Sequence, residues 1–290
     1  MEKSSFGNDS RRALTLIAFA VLLFGIKDAQ VKYLSQTVPI LQIVWAQFLG
    51  YFLFVTLMFW PTRRWNILSS SRIRLQMFRS TLLLVAILLF STALRFMPLA
   101  DAVAITCVFP IIVTALSVPL LKERVGLRRW AAVGVGLAGA VIIIRPGMGV
   151  MHWAAFLALG AAFSFALFFI TTRMLSSTDD SVTTLFYPAL TGTVALSLFV
   201  PFQWDQPASL LEFVWLLGPG LLSGVGHYGV VKAHELAPAA VLAPICYSQL
   251  LWSTLFGFLI FGDFPDQWTL LGAGIVVASG LYIFHREGRH

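Results

Sequence analysis

Charge is what this chain has least of. Asp, Glu, Lys and Arg make up 11% of its 290 residues, against about 25% in an average soluble domain. A folded chain of this size has too few charged side chains here to cover a water-facing surface. Cysteine is nearly missing as well. Cys107 and Cys246 lie far apart, each inside an apolar run, which speaks against a disulfide framework or a zinc site and leaves both as small apolar packing residues. The five histidines, at 152, 227, 234, 285 and 290, show no metal-ligand spacing. There is no G-x-x-x-x-G-K-[ST], no H-E-x-x-H and no G-x-S-x-G, so no phosphate cradle, zinc protease helix or nucleophile elbow is encoded. The expectation is a non-enzyme without cofactor or metal.

What is present is apolar: 58% of the residues, with a mean hydropathy of +0.84. A spanning helix needs about 20 residues, and ten segments qualify or come near: 12–34, 39–60, 75–95, 99–121, 129–144, 152–175, 182–201, 210–231, 237–261 and 268–284. The fifth and tenth are short. Proline punctuates the joints at 39, 61, 98, 146, 201 and 265, where a missing N–H costs least. The first run shows no small-residue cleavage site after Phe24 and reads as a retained helix. No connection is long enough for a soluble domain. The fold class expected is therefore all-α: a polytopic membrane protein in a lipid bilayer.

The net charge of +7 does not imply nucleic acid, because the cations lie between apolar segments, as cytoplasmic anchors do. With the N-terminus cytoplasmic, sixteen of the 20 Lys and Arg fall on that side. They include Arg63, Arg64, Arg72, Arg74 and Arg79 of a 60–79 loop. Lys27, Lys32, Arg95 and Arg145 remain, and the opposite side also collects Asp205, Glu212, Asp263 and Asp266. Both termini come out cytoplasmic. Trp60, Trp65, Trp130, Trp153, Trp204, Trp215 and Trp268 stand near segment ends and read as interface anchors.

One hairpin occurs twice with opposite loop charge. Residues 110–139 and 250–280 each carry an apolar run, an acid (Glu123, Asp263), a Trp (Trp130, Trp268) and a Gly-x-Gly (Gly134 and Gly136, Gly272 and Gly274). The first turn is basic (Lys122, Arg124, Arg128, Arg129), the second acidic. Opposite loop charge implies opposite insertion, and five helices per half produce that inversion. The expected architecture is two inverted five-helix repeats, 12–144 and 152–284, with a shared cavity near the midplane, as in secondary transporters.

These residues resemble the EamA family of the drug/metabolite transporter superfamily, over nearly the whole chain. Gly25 and Lys32 are similar to the family's "WG…K" of the first helix, with Phe24 in place of Trp. Ala93–Ile105 resembles the joint of the third and fourth helices, and Pro110–Glu123 the "P…GE" helix, with Lys122 in place of Gly. Pro244, Tyr247, Gln249, Trp252, Gly257 and Phe261–Asp266 resemble the matching motif of the second half. One departure is Gln47, where the family's second helix often carries Arg. The resemblance implies uptake or export by alternating access, without an ATP site.

Candidate site residues follow from polar groups inside apolar helices. Lys27, Asp28 and Lys32 lie in the outer half of the first helix as gating or charge-pair residues. Asp28 and Lys32 stand at i,i+4, where a helix-face ion pair is available. Arg95 and Asp101 flank the turn before the fourth helix and read as a loop-end pair or cap. Gly220, Gly224, His227 and Val231 share one face of the eighth helix, whose small residues allow close approach; Tyr228 is beside it. On the ninth helix, Tyr247 and Trp252 offer walls for a planar ligand and Gln249 both donates and accepts. Thr106, Pro110 and Ser117 form a polar-flecked stripe on the fourth helix, and Trp45, Gln47 and Tyr51 a similar set on the second.

The reading is an inner-membrane transporter of bacteria, monomer or homodimer, moving a small flat or amphipathic solute: an aromatic amino acid, a riboflavin-like vitamin or an S-adenosylmethionine-like metabolite. Protons are a candidate coupling ion through His227. Rival readings are a drug or small-cation exporter, which needs a carboxylate deep in the cavity, a lipid-modifying enzyme, and a non-transporting membrane subunit.

Overall fold

A computed structural model describes residues 2–122, 125–145, 153–207, 209–237 and 239–287. Glu123, Arg124, Pro146, His152 and His290, singled out above, lie outside the described residues, as does the side chain of Pro244. Among the described residues every regular element is helical: α1 (Glu2–Leu34), α2 (Ile40–Arg63), α3 (Ile73–Phe96), α4 (Leu99–Thr106), α5 (Phe109–Leu121), α6 (Leu127–Ile144), α7 (Ala154–Leu175), α8 (Ser181–Ser197), α9 (Leu210–Leu236), α10 (Ala239–Cys246), α11 (Gln249–Phe256) and α12 (Gln267–Glu287). Among the described residues seven stretches are long and apolar enough to cross a membrane, and Gln249–Phe261 and Gln267–Ile283 are shorter apolar helices. Trp65, Trp130, Trp153, Trp204, Trp215 and Trp268 are exposed.

Two of the ten sequence segments are broken. The fourth splits into α4 and α5, because Pro110 has no N–H to give the Thr106 carbonyl and its ring crowds that turn. The chain tightens there instead, with Val108 N–H on Ile105 O and Ile111 N–H on Val108 O. The ninth splits into α10 and α11 at Tyr247–Ser248, with the same tightened pattern: Ser248 N–H on Ile245 O, Leu251 N–H on Ser248 O. Both hairpin helices end in a left-handed residue. Gly262 has φ 73° at no steric cost. Its counterpart Lys122 has φ 57°, a conformation that costs a non-glycine residue about 1–2 kcal/mol.

The packing has a pairwise pattern. Helix α1 lies along α9 as α3 lies along α7; α1 meets α10 and α11 as α7 meets α4 and α5; α2 packs on α9 as α8 packs on α3. Helices α6 and α12 pack on each other, as do α2 and α8. Exchanging the first five segments for the last five maps the first three kinds of contact onto their counterparts and the α6–α12 and α2–α8 pairs onto themselves. Close approach rests on small residues. A Cβ at Gly220 would stand 2.1 Å from the Gln47 carbonyl, and one at Gly272 would stand 2.6 Å from the Gly139 carbonyl.

Two sequence expectations are corrected here. Arg79 is not in a loop: α3 begins at Ile73, and Arg79 is buried among α7 and α8. The expected 75–95 segment already contained it, and only the overlapping 60–79 loop count placed it outside the helix. Cys246 is exposed on α10, while Cys107 is buried; an apolar residue in lipid needs no protein cover.

Candidate functional site

Helix α1 supplies the middle of the molecule with a charge pair. Asp28 is 1% exposed and forms an ion pair with Lys27. The second Asp28 oxygen accepts from Gln249 Nε2 at 2.9 Å, so α11 reaches across the two halves to the same carboxylate. Lys27 Nζ lies 5.7 Å from the Phe90 ring of α3. The expected i,i+4 pair of Asp28 with Lys32 does not form. Lys32 donates to Met97 O at 2.8 Å and pairs with Asp263 at 3.3 Å. Its amine reaches outward past its own helix face, because a long side chain relieves burial best at the segment end.

One turn back along α1, Phe24 stands 5.0 Å from the His227 ring, and Tyr51 of α2 stands 5.6 Å from it on another side. His227 is therefore in an aromatic corner between α1, α2 and α9. Trp252 lies stacked on Phe256, 6.1 Å apart at 22°. It packs on Gly25, where a Cβ would come 2.8 Å from that of Trp252. Gln47 is buried on α2, and its side-chain carbonyl has no partner among the described residues. Lys27, Asp28, Gln47, His227, Gln249 and Trp252 thus lie on the faces where α1, α2, α9 and α11 meet. Arg79 lies on α3, which packs on α2 beside them.

The other sequence candidates are elsewhere. Trp45 donates to Ser197 Oγ at 2.9 Å and lies edge-on to Trp204, in a recess of about 390 Å³ with Val200 and Pro201 at a segment end. Tyr228 packs on Phe59 with Lys232 over its ring. Tyr247 turns its hydroxyl onto Gly280 of α12, so it fills the α10–α12 contact and is no wall opposite Trp252. The hydroxyls of Thr106 and Ser117 bond back to Ala102 O and Thr114 O, the local satisfaction expected of such residues in apolar helices. Pro110 is spent on the break.

Polar contacts join the halves at both ends. At one end Asp179 accepts from Ser70 Oγ (2.5 Å), Ser71 Oγ (2.8 Å) and Gln76 Nε2 (2.8 Å), and Tyr187 donates to Leu68 O. Desolvation alone would raise the Asp179 carboxyl. The donors Ser70, Gln76 and Ser71 together outweigh it and hold the carboxyl down at about 2. At the other end Arg145 pairs with Asp266 at 2.6 Å, and Asp266 caps α12 through Thr269 N–H. There too desolvation is overcome, by Thr269 and Arg145, and the carboxyl is held below its ordinary range. Gln42, which the sequence reading passed over, exchanges two hydrogen bonds with the Asp205 backbone at this periphery.

The sequence profile described as the EamA-like transporter family matches residues 11–145 and again 152–284. The riboflavin transporter of Vibrio cholerae serotype O1 is 31% identical over 210 residues, 72% of this chain and 70% of its own length. The S-adenosylmethionine uptake transporter of Rickettsia prowazekii is 27% identical over 264 residues, 91% of this chain and 89% of that protein. A protein of known crystal structure, 17% identical, superimposes with a TM-score of 0.64 over 96% of this chain and 97% of that one, which is a likeness of fold.

Proposed function

The chain belongs to the EamA-like transporter family, a multi-pass membrane transporter of small metabolites, and from that premise we propose that it moves a flat, heteroaromatic solute by alternating access. In this reading the chain crosses the bilayer ten times as two inverted halves, 12–144 and 152–284, with both termini on the cytoplasmic face of a bacterial inner membrane. The broken fourth and ninth segments and the pairwise helix contacts support it, since discontinuous helices at matching positions belong to inverted-repeat transporters. The end closed by Asp179 faces the cytoplasm and the end closed by Lys32, Arg145, Asp263 and Asp266 faces outward. A cysteine replacing Phe264, in a background without Cys107 and Cys246, is expected to react with an impermeant maleimide only from outside. Labelling in inverted vesicles alone would reverse the topology.

One observation carries the solute class: the rings of Phe24, Tyr51 and His227 meet one helical turn from Asp28, and Trp252 lies one turn from its partner Gln249, on faces contributed by both halves. Ring faces suit a planar solute, and a few placed polar groups fix its orientation. The names of the two relatives, a riboflavin transporter and an S-adenosylmethionine transporter, both point to such solutes. Counterflow in proteoliposomes tests this. Riboflavin or S-adenosylmethionine is expected to exchange, and Trp252→Ala and His227→Ala to slow it about tenfold, the worth of one lost aromatic contact of ~1.5 kcal/mol. Exchange unchanged in both variants would return these side chains to packing, and no exchange of any metabolite would end the transporter mechanism.

A further inference from the structure

We propose that Arg79 is the counter-charge for an anionic group on the transported solute, a carboxylate. The proposal rests on the reading above, in which the solute sits between the two halves, and it names the chemistry of that solute.

Arg79 is 4% exposed, so its head does not snorkel to the membrane surface as an arginine near a helix end can. Three contacts hold it in place. Nε donates to Thr172 Oγ1 at 2.5 Å, Nη1 donates to the Thr184 carbonyl at 2.7 Å, and the guanidinium lies 4.2 Å over the Phe168 ring. All three partners are neutral. Among the described residues no carboxylate pairs with it. Asp179, on the nearby loop, is taken by Ser70, Ser71 and Gln76. Lys27 is already matched by Asp28, so the positive charge left over in the interior is that of Arg79. A buried, uncompensated charge inside a membrane segment is costly and marks a functional position.

The geometry suits a ligand. Thr172 and Thr184 fix the guanidinium through Nε and Nη1, which leaves Nη2 for another acceptor. Phe168 stiffens the plane from one face. Helices α3 and α8, which hold Arg79 and Thr184, both pack on α2, the helix of Tyr51. A rigid guanidinium fork matches a carboxylate better than it matches any neutral group. A heteroaromatic body among Phe24, Tyr51 and His227 would thus extend its acidic group toward α3. The class is a nucleoside-like metabolite bearing an amino-acid carboxylate, in preference to a neutral polyol-bearing flavin.

The test compares three solutes on the full-length reconstituted protein: S-adenosylmethionine, its decarboxylated analogue and riboflavin. In wild type, loss of the carboxylate is expected to raise the half-inhibiting concentration on the order of 100-fold, the scale of breaking a buried charge pair. Arg79→Gln is expected to erase that preference by weakening the carboxylated solute alone, and the decarboxylated analogue, freed of a like charge, should bind at least as tightly as in wild type, which reports that the variant is folded. Arg79→Lys should keep a reduced preference. Equal affinity for the carboxylated and decarboxylated solutes in wild type would overturn the proposal, and so would a preference that survives Arg79→Gln. If Arg79→Gln does not fold, Arg79→Lys decides: a preference as large as in wild type overturns the proposal, and a reduced one supports it. Exchange of riboflavin and of neither adenosyl compound would refute the role of Arg79 and leave the transport of flat solutes standing. Exchange of none of the three would refute both.

Discussion

Asp28→Ala is expected to destabilise the purified protein by about 3–5 kcal/mol, the range seen when one member of a buried ion pair is removed. That corresponds to a loss on the order of 10 °C in Tm, together with loss of solute exchange. The carboxylate is 1% exposed and neutralises Lys27, and it also accepts from Gln249, 221 residues away in the chain. Removing it strands an ammonium group and a buried amide at once, and it cuts the polar link between α1 and α11. A double change separates the two consequences. Lys27→Met with Asp28→Leu removes both charges and fills the space, which is often neutral for stability. The double variant is expected to melt near wild type and still fail to exchange solute. A single Asp28→Ala variant melting like wild type would show that the cluster is solvated and that its charges are not held as described.

Gly220→Leu is the second large effect. A Cβ at 220 would stand 2.1 Å from the Gln47 carbonyl, 2.7 Å from Tyr51 N and 2.8 Å from Gly50 Cα. The reciprocal Cβ at Gly50 would stand 2.5 Å from the Leu217 carbonyl. Both obstacles are backbone, so no rotamer change gives relief, and α2 and α9 would have to separate. Overpacking typically costs about 1–3 kcal/mol where side chains can yield; here they cannot, and loss of folded protein on size-exclusion chromatography is expected. Gly274→Ala is the control, because nothing lies within 4 Å of its Cβ. It should be neutral or slightly stabilising, by about 0.4–1 kcal/mol. A folded, active Gly220→Leu protein would show that α2 and α9 do not meet this closely.

The same comparison marks how far the sequence could be read. The repeated Gly-x-Gly motifs looked alike, yet Gly136 and Gly272 are buried against neighbours while Gly134 and Gly274 face open space. Spacing gives the period of a helix, not its rotation about its axis. The small face of α9 was legible, since Gly220, Gly224 and His227 follow the helical period, and each does meet α1 or α2. The i,i+4 rule offered Lys32 to Asp28, but the structure gives Asp28 to Lys27 and Gln249, and Lys32 to Asp263. Tyr247 and Trp252 were both read as walls, and they point to different helices. Arg79 was hidden by an overlap: it falls inside the 75–95 segment, yet it was counted among the cations of the 60–79 loop.

By itself, the sequence determined the solvent of this protein, the placement of its apolar segments and its twofold internal likeness. Each of these depends on composition and on local spacing, which the chain carries without folding. The tertiary structure alone decided which charges neutralise one another and which is left over. Asp28 and Gln249, or Arg79 with Thr172 and Thr184, come from opposite halves, and only the packing of those halves brings them within hydrogen-bond distance. In a low-dielectric interior that pairing carries most of the electrostatic energy, so the site was set by helix rotation and contact, quantities that residue spacing does not contain.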